Sequence, residues 1–219
     1  MNTRFKKRKH SVVLLLQGLL ARNPVLLGGL VLAPAIVAGT SLKNAVAITT
    51  VLAVVTIPTF LLASLLPKKL PKYLGTIICV LLACLFYMPA IYLVKHTLGP
   101  AIIDTTGIYL PILVFNGILV DRAQRRSFKW NIPYALVDVL CHVVGFGVII
   151  CLFSIFREML GSGTIWDVQL GISTTPALLY PFSGFILLAF AMAICKCMNR
   201  LMARAGRRME QKKLKVKQR

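Results

Sequence analysis

The sequence predicts an all-α integral membrane fold: six transmembrane units laid out as two inverted three-helix repeats, with the first and fourth units broken. Three observations predict it. Apolar residues make up 58% of the 219 residues and charged residues only 15%, with a mean hydropathy of +0.79. Soluble globules average roughly 45–50% apolar and about 25% charged, so this surface has no aqueous home. The apolar residues fall in six runs, each long enough to supply the ~20 residues that cross a bilayer. Finally, prolines and glycines interrupt the first and fourth runs. The composition excludes a soluble enzyme, a disordered tail and a secreted disulfide scaffold. The six cysteines lie in or beside the apolar runs, with no pair in an extended polar loop, so no disulfide framework is expected.

The six runs cover residues 11–40, 44–66, 73–94, 100–120, 132–156 and 177–198. The first is too long for one span and is interrupted at Arg22-Asn23-Pro24. A proline removes a backbone donor and disfavours helix at the residue before it. The stretch before Arg22 is therefore expected along the cytoplasmic surface. The stretch from Leu26 onward enters the membrane and breaks again at Pro34. The second, third, fifth and sixth runs read as simple spans. The fourth is interrupted by Gly107, Pro111 and the pair Asn116-Gly117. Broken helices at membrane depth survive only where protein or water satisfies the freed backbone. Their matching places, one at the head of each set of three units, point to inverted repeats with a site between the halves.

Charge fixes the expected orientation. The net charge is +20 and the pI about 10.3, but the cations sit in short clusters between apolar runs. This pattern is topology information rather than a nucleic-acid footprint, and no nucleic-acid partner is expected. With a cytoplasmic N-terminus and six units, 22 Lys and Arg fall on the cytoplasmic side. Only Lys43, Lys95 and Arg157 fall outside, as the positive-inside rule requires. The expected division is a basic cytoplasmic tail over 1–10, a membrane domain over 11–204 and a second basic cytoplasmic tail over 205–219. Both termini are cytoplasmic, in the inner membrane of a prokaryote. Residues 4–20 also have the build of a signal peptide, a basic start and an apolar core.

Several single residues bear on function. Asp138 lies about 7–8 Å into the fifth helix at 1.5 Å per residue. Intramembrane acids often line ion paths, so it is a candidate for one; a shallow acid paired with Lys129 is the plainer reading. His142, four residues on, shares its face. Asp104 and Asp167 read as solvated loop residues. Arg157-Glu158 marks the outer end of the fifth helix, with Gly161 and Gly163 as turn formers; a structural use is expected. Residues 204–219 read as an anionic-lipid contact or a docking surface for an acidic subunit. Trp130 and Trp166 sit where the two membrane interfaces are expected. No phosphate loop, metal-binding helix or nucleophile elbow is present, so no catalytic residue is assigned.

Beyond these features the chain resembles a known family. Gln17-Gly18-Leu19-Leu20-Ala21-Arg22-Asn23-Pro24-Val25-Leu26 is similar to the opening of the E subunit of Rnf complexes and the D subunit of Na⁺-pumping NADH:quinone reductase (Nqr). Gly107-Ile108-Tyr109-Leu110-Pro111-Ile112, then Asn116 and Arg122-Ala123, resemble the family's fourth helix. Arg157-Glu158-Met159-Leu160-Gly161-Ser162-Gly163-Thr164 with Asp167 resembles its fifth loop, and Asp138 and Gly145 lie at family-like spacing before it. Pro176-Ala177-Leu178-Leu179 with Pro181 and Gly184 resembles its last helix. The likeness is collinear from about Gln17 to Met198 and argues that the first apolar run is retained rather than cleaved.

The resemblance implies six helical units in two inverted repeats, paired with a second six-helix subunit of opposite orientation. The implied complex passes electrons through flavin and iron–sulfur partner subunits and drives Na⁺ or H⁺ across the membrane. It also implies a cysteine in each broken helix, two from each partner, holding a [2Fe–2S] cluster. Here those positions read Ala33, before Pro34, and Gly117, after Asn116. Neither side chain offers the thiolate that iron requires. The expectation is a non-catalytic subunit that binds no cofactor alone. Its interface is shaped by Asn23, Pro24, Ala33, Pro34, Pro111, Asn116 and Gly117. The competing readings are a substrate-binding subunit of an energy-coupling-factor-like transporter, a stand-alone transporter, and a non-redox assembly paralogue.

Overall fold

In a computed structural model of the chain, described for residues 34, 36, 39–65, 71–115, 119, 132–171, 174–194 and 196–197, three long apolar helices dominate. Helix α1 spans Leu42–Ser64, α2 spans Lys72–Leu98 and α5 spans Ile132–Gly161. Each contains a stretch of 22, 26 or 23 residues long and apolar enough to cross a membrane. Between α2 and α5 lie two short helices, α3 (Ala101–Thr106) and α4 (Tyr109–Ile112), the latter tightening into a 3₁₀ turn over Leu113–Phe115. A shorter apolar helix, α6 (Pro181–Ile194), follows a 3₁₀ turn at Pro176–Leu179.

Local chemistry sets each boundary. Ser41 is extended and its hydroxyl accepts the Asn44 N–H at 3.3 Å, an N-cap that satisfies one of the orphan donors of α1. Pro58 lies inside α1 and costs the helix a backbone donor. On either side of it, the buried Thr56 and Thr59 hydroxyls donate back to the Leu52 and Val55 carbonyls, which disposes of two polar groups inside the core. Pro71 precedes α2, and Gly99 ends it with φ 93°, a conformation that side chains disfavour.

α1 is the central element and packs against both α2 and α5. Its Ile48, Val51, Leu52 and Val55 are fully buried. α5 runs antiparallel to it and approaches closely at Gly147, where a Cβ would stand 2.6 Å from Thr49 Cγ2. Small residues at such crossings are what helix association in a lipid solvent selects. The outward faces are apolar too. Leu140, Val144, Val148, Leu152 and Phe156 form an exposed stripe down α5 at four-residue intervals, and Leu74, Ile77, Leu81, Leu85, Met88 and Tyr92 form another down α2. Water would not tolerate these faces; lipid or a membrane partner does.

The start of α1 and the ends of α2 and α5 meet at one end of the bundle: Leu42 N–H reaches Glu158, and the Thr105 hydroxyl, just past α2, reaches Asn44 Oδ1 at 3.4 Å. The three connections expected outside thus share an end.

Two boundaries differ from the sequence reading. The fifth unit continues to Gly161, so the helix runs about one turn beyond Arg157-Glu158 instead of ending there. Glu158-Met159-Leu160 are good helix formers, which carry it past the charges that end the apolar run. A small hairpin also appears in the connection to α6, pairing Thr164 with Gln169 and Ile165 with Val168, four strand residues that an all-α reading omits.

Candidate functional site

The polar chemistry of the described residues concentrates at the bundle end that holds the C-terminus of α5. Arg157 lies 25 residues into α5, about 38 Å along it at 1.5 Å per residue. That is more than the ~30 Å of a bilayer's hydrocarbon, so it stands near the membrane surface, yet its side chain is 0% exposed. Its guanidinium donates to five backbone carbonyls. Nη1 reaches Ile36 O at 2.5 Å and Gly39 O at 3.3 Å; Nε reaches Leu178 O at 3.1 Å; Nη2 reaches Leu179 O at 2.9 Å and Tyr180 O at 3.3 Å. The first two carbonyls lie just ahead of α1, and the other three lie where the chain turns into α6. The Phe153 ring lies 5.6 Å from the guanidinium carbon, a cation–π contact.

A lone buried cation is costly unless its donors are all engaged. Here the acceptors are five backbone carbonyls, at residues 36 and 39 ahead of α1 and at residues 178–180 ahead of α6. Among the described residues no carboxylate pairs with Arg157. The neighbouring carboxylate, Glu158, is 4% exposed and engaged elsewhere. Its Oε2 accepts the Leu42 N–H at 2.6 Å, and its Oε1 accepts the Trp166 N–H at 3.0 Å and the Thr164 hydroxyl at 3.4 Å. Glu158 therefore caps the positive end of α1, while Arg157 binds the Ile36 and Gly39 carbonyls just ahead of it. Adjacent residues of one helix thus hold the start of α1 and the residues just ahead of it, Glu158 with the sign the α1 dipole favours.

Neighbours complete the cluster. The buried Ser154 hydroxyl donates to Gly39 O at 3.0 Å. Gly184 of α6 leaves room for the guanidinium: a Cβ there would stand 3.3 Å from Arg157 Cζ and 2.8 Å from Ile36 Cγ2. Gly161 serves packing rather than turn geometry, since a Cβ would stand 2.7 Å from Leu179 Cδ2, whereas Gly163 has φ 68° and does turn the chain. The hairpin tip is Trp166-Asp167, both in the left-handed region with φ 53° and 67°, where side chains cost about 1–3 kcal/mol. Two contacts hold it there, the Glu158 bond to Trp166 N–H and the ion pair of Asp167 with Lys43.

Of the residues singled out in sequence, Pro34 is described and buried. The fourth unit is broken as expected at Gly107, with φ 49°. Pro111 lies exposed within α4. Asp138 lies in α5, and His142 on the same helix is buried. Asn23, Pro24, Ala33, Asn116 and Gly117 lie outside the described residues. Cys79 and Cys141 are buried, Cys84 and Cys197 are exposed, and no three His, Cys, Asp or Glu side chains gather among the described residues. The carbonyl-binding role of Arg157 and the capping role of Glu158 went unread in sequence. The signal for them was a charged pair at the end of a long apolar run, just before a Gly-Ser-Gly stretch.

Long apolar helices, apolar outward faces, an interrupted fourth unit and a buried clasp of helix-end caps define a multi-pass helical membrane protein. The family it belongs to is the Rnf-Nqr subunit family of membrane proteins, whose pattern matches residues 11–199. The chain is 29% identical over 190 residues to the E subunit of the proton-translocating ferredoxin:NAD(+) oxidoreductase complex of Clostridium ljungdahlii, covering 85% of this chain and 88% of that protein. It is 30% identical over 151 residues to the E subunit of the ion-translocating oxidoreductase complex of Shewanella oneidensis, covering 69% of this chain and 65% of that protein.

Proposed function

We propose that this chain is a membrane subunit of a redox-driven, ion-translocating electron-transport complex of the Rnf/Nqr type, in which it acts as scaffold and as one half of an ion path. The observation that carries the proposal is the family match along residues 11–199, supported by two relatives named as E subunits of such complexes. The partners follow from that reading: a second six-helix membrane subunit of opposite orientation, and subunits carrying flavin and iron–sulfur centres. Two inverted three-helix repeats in a prokaryotic inner membrane, with both termini cytoplasmic, fit the distribution of Lys and Arg.

The chain departs from the family's cofactor chemistry. A [2Fe–2S] cluster needs thiolates; the positions the resemblance assigns to them are Ala33 and Gly117, and a methyl group and a hydrogen give iron no donor. The proposed subunit therefore binds no cluster of its own, and no electron step is assigned to it. Asp138 is the proposed ion-path residue, since an acid a few residues inside a membrane helix is costly unless it is used or paired.

Deletion and complementation test this. In inverted vesicles from the deletion strain, ion uptake driven by reduced ferredoxin or NADH should fall by at least tenfold, and expression of the intact chain should restore it. Uptake unchanged by the deletion would refute the proposal.

A further inference from the structure

We infer that Arg157 is a two-sided latch: it closes the bundle end at which it lies by tying Ile36 and Gly39, just ahead of α1, to the start of α6, and that end opens when the latch releases. Its five carbonyl partners divide into two sets from segments more than 130 residues apart in sequence, Ile36 and Gly39 on one side and Leu178, Leu179 and Tyr180 on the other. One planar guanidinium spans both. Lysine could not do so, because its donors radiate from one atom.

Three features make this a latch rather than ordinary packing. Every partner is a neutral backbone carbonyl, so release leaves dipoles that water can solvate, not an orphaned carboxylate. Glu158, the adjacent charge, is held separately by Leu42 N–H and Trp166 N–H and would keep α1 and the hairpin in place after Arg157 lets go. Gly184 supplies the slot into which the guanidinium fits, so the closed position is built into α6. Segments that move rigidly past one another while keeping their own internal bonds are the usual substrate of such switching. Use of this latch in ion translocation rests on the function proposed above; the latch itself rests on the geometry.

The test is labelling of a cysteine beneath the latch. Ser154, one turn before Arg157 and fully buried against Gly39, is replaced by cysteine in the full chain. Native cysteines other than Cys79 are replaced by alanine. A membrane-impermeant maleimide is applied to right-side-out and to inverted membrane vesicles. With Arg157 intact, S154C should be almost unreactive; with Arg157→Met it should label at least tenfold faster, while the buried Cys79 on α2 stays protected. Arg157→Lys should give an intermediate rate, and it decides the matter if the methionine variant fails to insert. S154C remaining protected in the variants would overturn the latch. So would labelling of Cys79 together with S154C, because Arg157 would then be holding the whole bundle rather than one end. The side from which labelling occurs is a separate result: labelling only in inverted vesicles would contradict the proposed orientation and leave the latch standing.

Discussion

Replacing Glu158 by glutamine changes one atom and should cost the protein far more than an ordinary polar substitution. Glu158 places one oxygen on the Leu42 N–H at 2.6 Å and the other on the Trp166 N–H at 3.0 Å. A glutamine has a single oxygen, so in either amide orientation its NH₂ group faces a backbone N–H. One backbone donor loses its acceptor at a site only 4% exposed. A hydrogen bond to a charged group contributes about 1.5–3 kcal/mol, and the negative charge at the start of α1 adds about 0.3–1 kcal/mol. The sum is roughly 2–4 kcal/mol, against about 0.6 kcal/mol for an average side-chain hydrogen bond between membrane helices. That range corresponds to a folding constant lowered about 30- to 700-fold at ~1.4 kcal/mol per tenfold. SDS-driven unfolding of the purified chain in mixed micelles measures it, with Glu158→Ala as the control that removes the acceptor without adding a misplaced donor. A glutamine variant within about 0.5 kcal/mol of the parent would refute the capping assignment.

Other perturbations follow from the same geometry. Gly147→Ala pushes a methyl group to 2.6 Å from Thr49 Cγ2 and should cost about 1–3 kcal/mol, the usual penalty of overpacking. Adding Thr49→Ser, which removes that methyl while keeping the hydroxyl bonded to Ala45 O, should restore most of the loss in the same unfolding assay. Gly184→Ala should destabilise by a similar amount and should also raise labelling at S154C, because it crowds the guanidinium. Lys43→Ala removes an exposed ion pair with Asp167 and should change stability by less than about 1 kcal/mol. Cysteines restored at Ala33 and Gly117, in a chain co-expressed with a cysteine-bearing partner subunit, should recover iron–sulfur absorbance if the cleft keeps the family's shape. No iron in such a pair would mean the cleft has been remodelled.

Much of the fold was legible because membrane helices advertise themselves by length and apolarity. The runs over 44–66, 73–94 and 132–156 became α1, α2 and α5 with shifts of a few residues, since lipid imposes one solution on a long apolar segment. The break at Gly107 was legible because glycine marks a backbone that leaves the helical region. The hairpin at Trp166-Asp167 was not. Two-residue turns of that kind normally announce themselves with Asn-Gly or Asp-Gly, and here tertiary contacts to Glu158 and Lys43 hold two disfavoured residues in place. The burial of Arg157 was not legible for a related reason. Hydropathy treats an arginine as the end of a span, whereas its burial depends on carbonyls from residues 36–39 and 178–180, which no local window contains.

Membership of a redox-driven complex is best tested by purifying the tagged chain from native membranes in mild detergent and identifying its partners by mass spectrometry. A second six-helix membrane subunit of the same family should come with it, together with flavin and iron–sulfur subunits. Recovery with ATPase subunits, or with no partner, would contradict that membership and leave a transporter or assembly factor built on the same scaffold.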